Sequence, residues 1–151
     1  MSTSKFQDVR AAFAALITAR FIVDGVEDVS VWEYEPRPAT VTREDQVWVG
    51  RIRVDQEPLS MGGANRKVDE TLTIDLAVRA PRSGADLDDQ KLAEQRAETI
   101  FASVENAVRA DGTVGGSVMF IQVDSFESVP MFDDLGAVGL IDAVFTAEAN
   151  I

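Results

Sequence analysis

Hydrophobic and polar residues alternate almost without a break from Thr71 to Ala80. Leu72, Ile74, Leu76 and Val78 fall on one side of an extended chain, and Thr71, Thr73, Asp75 and Arg79 on the other. Side chains alternate faces along a strand, so this pattern predicts a half-buried strand of an antiparallel sheet. "DVSVWEYE", Asp28 to Glu35, reads as another strand, with Val29 and Val31 on one face and Trp32 and Tyr34 on the other. "QVWVGRIRV", Gln46 to Val54, is a third. Uninterrupted alternation would put Trp48, Ile52 and Val54 on one side of it, and Val47 and Val49 beside Arg51 and Arg53 on the other.

Two stretches carry the helical period instead. Phe6, Val9, Phe13, Leu16 and Ile17 predict a helix from about Lys5 to Ala19, with Ser4 as its cap and Gly25 beyond its end. Leu92, Ala93, Ala97, Ile100, Phe101, Val104 and Val108 predict a second helix from about Leu87 to Ala110. Asp86 is its cap, and Gly112 lies near its terminal position. Asp88 and Asp89 suit the positive end of that helix's dipole and need no metal to explain them. "SVMFIQVDSFESV" and "GAVGLIDAVFTAEA" predict two closing strands, joined through "PMFDDLG". In the first of these, Val118 and Phe120 oppose Met119, Ile121 and Val123.

The element order is helix, three strands, helix, two strands. It predicts one α+β domain over residues 1–151: a mainly antiparallel four- to five-stranded sheet with two helices packed on one face. The segment from Asp55 to Asn65 is the tip of a long hairpin. Its Leu59 and Met61 suit a segment that is mobile in the free subunit and orders against something else. Apolar residues on both faces of several strands predict that the face the helices leave bare is an association surface. Val31 and Trp32, on opposite faces of one strand, are with Leu59 and Met61 the candidate interface residues.

Composition narrows the chemistry. The 151 residues contain no cysteine and no histidine. That removes disulfides, thiolate nucleophiles, cysteine or histidine metal ligation and imidazole acid–base catalysis. No glycine cluster has the phosphate-loop pattern, no serine sits in a nucleophile elbow, and "DLDD" lacks the rest of a calcium loop. No catalytic residue, metal site or cofactor site is assigned, and the chain is read as a non-enzyme. Its formal charge of −12 argues against long-range attraction to nucleic acid or anionic lipid. Arg51, Arg53, Arg66 and Lys67 read as solvated strand ends. "MSTSKFQDVRAAFAALITARF" lacks the layout of a secretory signal, and no apolar run reaches the ~20 residues of a membrane span.

The order of "SKFQDVRAAFAALI", "VSVWEYEP", the hairpin "VWVGRIRV…ETLTIDLAVRA" and the helix "DQKLAEQRAETIFASVENAVRA" resembles the tail-terminator, or tail-completion, proteins of long-tailed bacteriophages, the minor tail protein U-like family. The resemblance spans nearly the whole chain and rests on pattern and length, without an invariant motif. Head–tail joining proteins of the same phages share it. The resemblance implies a structural subunit of a homo-oligomeric, sixfold ring that caps the tail tube, ends its polymerisation and meets the head–tail connector protein. Its partners would be copies of itself, the tail tube protein and the connector, with DNA passing through the lumen and no membrane. The place would be the virion tail, assembled in the host cytoplasm. The alternative from another class is a small acidic ligand-binding or enzyme domain, with a pocket on the open sheet face around Trp32, Tyr34 and Trp48.

Overall fold

The computed structural model describes residues 6–36, 44–58, 68–134 and 136–150. The elements are α1 (Phe6–Asp24), β1 (Val29–Trp32), β2 (Asp45–Pro58), β3 (Val68–Pro81), α2 (Leu87–Ala110), β4 (Phe120–Asp133) and β5 (Gly136–Asn150). They form an α+β fold with one five-stranded sheet, ordered β1-β2-β3-β5-β4. β1 runs parallel to β2, and every other neighbouring pair is antiparallel. Both helices lie on one face. The core beneath them contains Phe13, Ile17, Ile100 and Val104 from the helices, and Leu72, Ile74, Leu76 and Phe145 from the sheet. Phe13 meets Phe145 edge-on, with ring centroids 5.2 Å apart, the offset geometry that ring quadrupoles prefer.

The second helix has its expected bounds and its expected cap. The Asp86 carboxylate accepts the Asp89 N–H at 2.9 Å, and the Asp89 carboxylate accepts the Asp86 N–H, closing a capping box. The first helix runs past Ala19 to Asp24. Gly25 at φ +70° ends it. The Val26 N–H reaches the Phe21 carbonyl and the Gly25 N–H the Ile22 carbonyl, the paired bonds of a left-handed helix stop. Asp24 holds the added turn. It pairs with Arg20 at 3.1 Å and accepts the Ser103 hydroxyl of α2 at 2.7 Å. Its carboxyl is held below the usual range, first by that hydroxyl and then by Arg20. The predicted cap Ser4 lies outside the described residues.

The strands depart from simple alternation at two bulges. In β2 the register with β3 shifts between Val49 and Ile52, so Val47, Val49, Ile52 and Val54 all face the helices. The predicted division of these residues between two faces is therefore wrong for β2: one inserted residue reverses the alternation beyond it. In β4 the shift falls between Val123 and Ser125. Ile121 and Val123 point to the core before it, and Phe126 pairs with the helix-facing Ala143 after it. Val118 lies ahead of the strand, not in it, and is buried.

Both hairpins are longer than predicted. Asp55–Pro58, expected in the mobile tip, pairs with Val68–Thr71. Pro130–Asp133, expected in a connection, pairs with Gly136–Gly139. β4 is an edge strand, where the missing N–H of Pro130 breaks no ladder. The rest of the tip, with Leu59 and Met61, lies outside the described residues. β1 is only four residues long.

Candidate assembly surfaces

The face left bare by the helices is mostly polar. Thr71, Thr73, Asp75, Asp142 and Thr146 point there from the two central strands β3 and β5, opposite the core side chains. The contiguous apolar face expected from the sequence is absent among the described residues: the strands that carry Trp32 and Phe120 are the two edges of the sheet, and the β2 bulge also turns Ile52 and Val54 toward the helices. Val31 is half-buried and packs against the core, whereas Trp32 is 44% exposed on the bare face beside Trp48. The two candidate residues of β1 thus divide between the covered and the open side.

A shallow depression of about 540 Å³ lies on the open face, lined by Trp48, Asp75, Asp142, Glu35 and Arg51 among others. Asp142 pairs across strands with Glu127 and lies diagonally from Asp75. Partial burial pushes its carboxyl up, and the Glu127 and Asp75 charges push it further. Tyr34 does not line this depression but an adjoining hollow, with Arg10, Glu35 and Arg51. Its hydroxyl meets Gln7 at 3.2 Å, and its ring stacks on Arg10 at 4.3 Å. Arg10 is a clamp. Its Nη1 donates to the Glu33 carbonyl at 2.7 Å and the Val49 carbonyl at 3.0 Å, joining the end of β1 to the β2 bulge. Of the three aromatic residues predicted to form a pocket, Trp48 alone lines the depression.

Exposed apolar side chains collect at the margins of the sheet. Phe120, Phe126, Met131 and Phe132 lie along the β4 edge, with Leu87 and Leu92 on the neighbouring helix. Between α2 and β4 runs a groove. One part, about 250 Å³, is floored by Phe101, Ala102, Phe126 and Ile141. The Phe101 and Phe126 rings lie 4.8 Å apart. Glu94, Glu98 and Glu105 rim it, and their spacing places them on one stripe of the helix. A second part, about 310 Å³, continues past Glu94 to Leu87, Lys91 and Pro130. This groove was not found from the sequence. The β4 bulge is what turns Phe126 toward α2, and unbroken alternation could not reveal it.

An ionic cluster holds the middle of α2. Asp45, largely buried, accepts Arg96 Nε at 2.9 Å and Arg82 Nη1 at 3.3 Å, while Arg96 Nη2 donates to the Glu27 carbonyl. Arg79 and Asp133 pair across β3 and the end of β4. Among the described residues no group of three or more carboxylates is arranged to hold a metal ion. No described helix is long and apolar enough to cross a membrane.

No protein-family model matches the chain, and no curated protein does. The fold has a counterpart among solved structures. A chain in the virion of a native gene transfer agent particle superposes with a TM-score of 0.58, covering 91% of this chain and 94% of that one at 17% identity. At that identity the likeness is one of fold.

Proposed function

We propose that the chain is a structural virion protein, the subunit of a sixfold ring that caps a tail tube, ends its polymerisation and joins it to the head connector. Its partners are then further copies of itself, the tail tube protein and the connector, with DNA passing through the lumen. The observation that carries this reading is the fold likeness, which runs over nearly the full length of both chains. The apolar margins at β4 and at the exposed Trp32 support it, because they sit on opposite edges of the sheet. A contact between two different edges repeats head to tail and closes into a ring when its rotation allows. The shallow acidic depression offers no nucleophile–base pair, which favours a protein that works by contact.

Sedimentation and electron microscopy of the purified protein test the first half. Sixfold rings are expected, and a monomer at every accessible concentration refutes the reading. Adding the protein to polymerising tail tube subunits tests the second half. Tubes should stop growing in its presence, and unchanged length distributions refute the capping role. A monomer that takes up a small molecule beside Trp48 would favour the pocket reading instead.

A further inference from the structure

Charge is segregated along this chain. Lys5, Arg37, Arg43, Arg66 and Lys67, five of its 14 basic residues, fall in 1–5, 37–43 and 59–67, and none of its 26 acidic residues does. The described body therefore carries 9 basic and 26 acidic residues, a formal −17. Residues 59–67, "LSMGGANRK", combine apolar Leu59 and Met61 with two cations and no acid. The groove between α2 and β4 has the opposite character. Its floor is Phe101, Phe126 and Ile141, and its rim is Glu94, Glu98 and Glu105. Glu105 faces Arg109 at 3.4 Å and Glu94 accepts the Ser128 hydroxyl at 3.2 Å. Glu98 has no ion-pair partner among the described residues.

We infer that the α2–β4 groove of one copy receives residues 59–67 of the next copy. This rests on the self-assembling reading above and assigns its contact. The segment cannot serve its own groove. Phe126 is level with Ala143 and hence with Leu76, eight residues along β3 from Val68. That is about 26 Å along the strand, and two strand spacings add about 9.5 Å sideways. A nine-residue segment that leaves β2 and returns to β3 reaches out about 17 Å at most. The occupant is therefore a second copy, seated with its apolar side chains on the floor and its cations against the rim.

The absence of native cysteine makes the test direct. The double variant Met61→Cys/Ala102→Cys, oxidised as assembled, should give a ladder of cross-linked oligomers on a non-reducing gel. Each single variant should stop at the dimer. Independently, Glu94→Lys/Glu98→Lys should raise the concentration needed for assembly about tenfold or more, and adding Arg66→Glu/Lys67→Glu should restore it to within about threefold. If the wild-type protein assembles but the ladder or the rescue is missing, the groove contact is overturned and the ring reading stands. If the wild-type protein stays monomeric at every concentration, the ring reading falls and this contact with it.

Discussion

Gly139 lies in β5 beneath the first turns of α2, and a Cβ there would stand 2.3 Å from the Ala93 carbonyl oxygen and 2.9 Å from the Glu94 nitrogen. Both atoms belong to helix backbone, so no side chain can swing aside. To restore an ordinary separation, Gly139→Ala must lift α2 by about 1 Å. A gap of that size forfeits roughly a quarter to a half of each dispersion contact it opens. The contacts at risk belong to Ala93, Ala97 and Ile100, which are fully buried against the sheet. Forced overpacking costs about 1–3 kcal/mol, and we expect the upper end, ~3 kcal/mol, because backbone meets backbone. In a chain of this size that lowers Tm by roughly 6–12 °C. Urea unfolding followed by circular dichroism gives the assay: the midpoint should fall while the slope stays constant. Gly112→Ala is the control, since its nearest neighbour is 3.8 Å away, and it should stay within about 0.5 kcal/mol of wild type. A Gly139→Ala protein as stable as that control would refute the close approach of α2 to β5.

The two faces of β1 should answer differently to charge. Val31→Asp places a carboxylate against the core and should unfold the subunit or cost about 3 kcal/mol or more by urea titration. Trp32→Asp sits on the open face and should leave the circular-dichroism spectrum and Tm nearly unchanged; assembly is the property it should impair, read by sedimentation. Asp142→Asn should stabilise the protein at neutral pH. Its folded carboxyl is shifted upward, so the folded state holds its proton longer than the unfolded state, and wild-type stability falls as pH rises through that window. The Tm gain of the variant should therefore grow from pH 4 to pH 7, and a constant gain would remove the electrostatic cause. Asp88→Asn should leave stability and assembly nearly intact by the same two measurements, because the capping box uses Asp86 and Asp89.

How far the sequence reveals this fold depends on how local each signal is. The second helix was legible to the residue, since its period and its Asp86 cap both lie within one stretch. The first helix was placed one turn and more too short. Gly25 marks its stop correctly, but what holds the last turn is Ser103, 79 residues away. Bulges were illegible for the same reason. The one cue in "WVGRIRV" is Gly50, a residue that often marks a bulge, but it does not say that the register with β3 shifts there, and that shift moves Ile52 and Val54 across the sheet. The expectation of an apolar open face came from the strands that carry Trp32 and Phe120, and these turn out to be the two edges of the sheet, with the polar β3 and β5 faces between them. Proline and the Asp pair in "PMFDDLG" read as a turn, yet β4 is an edge strand and carries Pro130 without loss. Parallel pairing of β1 with β2 depends on a partner that no periodicity names. Of the candidate interface residues, the division of Val31 from Trp32 was legible because β1 has no bulge. The groove beside Phe126 needed the structure.

The proposed contact between copies has two components, and their relative weight can be derived. Burying Leu59 and Met61 on the groove floor offers about 1.5–3 kcal/mol each. The Arg66 and Lys67 pairs with an exposed rim offer about 0–1 kcal/mol each, and salt screens them. Apolar burial should therefore set the affinity, while charge sets the encounter rate and rejects a wrongly docked copy. Leu59→Ala/Met61→Ala should then weaken assembly far more than Arg66→Ala/Lys67→Ala. Moving from low salt to about 0.5 M should slow association by roughly an order of magnitude and weaken the equilibrium by about that factor and no more. Light scattering after dilution gives the rate, and sedimentation equilibrium gives the constant. An equilibrium that collapses with salt, together with indifference to Leu59 and Met61, would show that the rim does the binding and that the groove floor is idle.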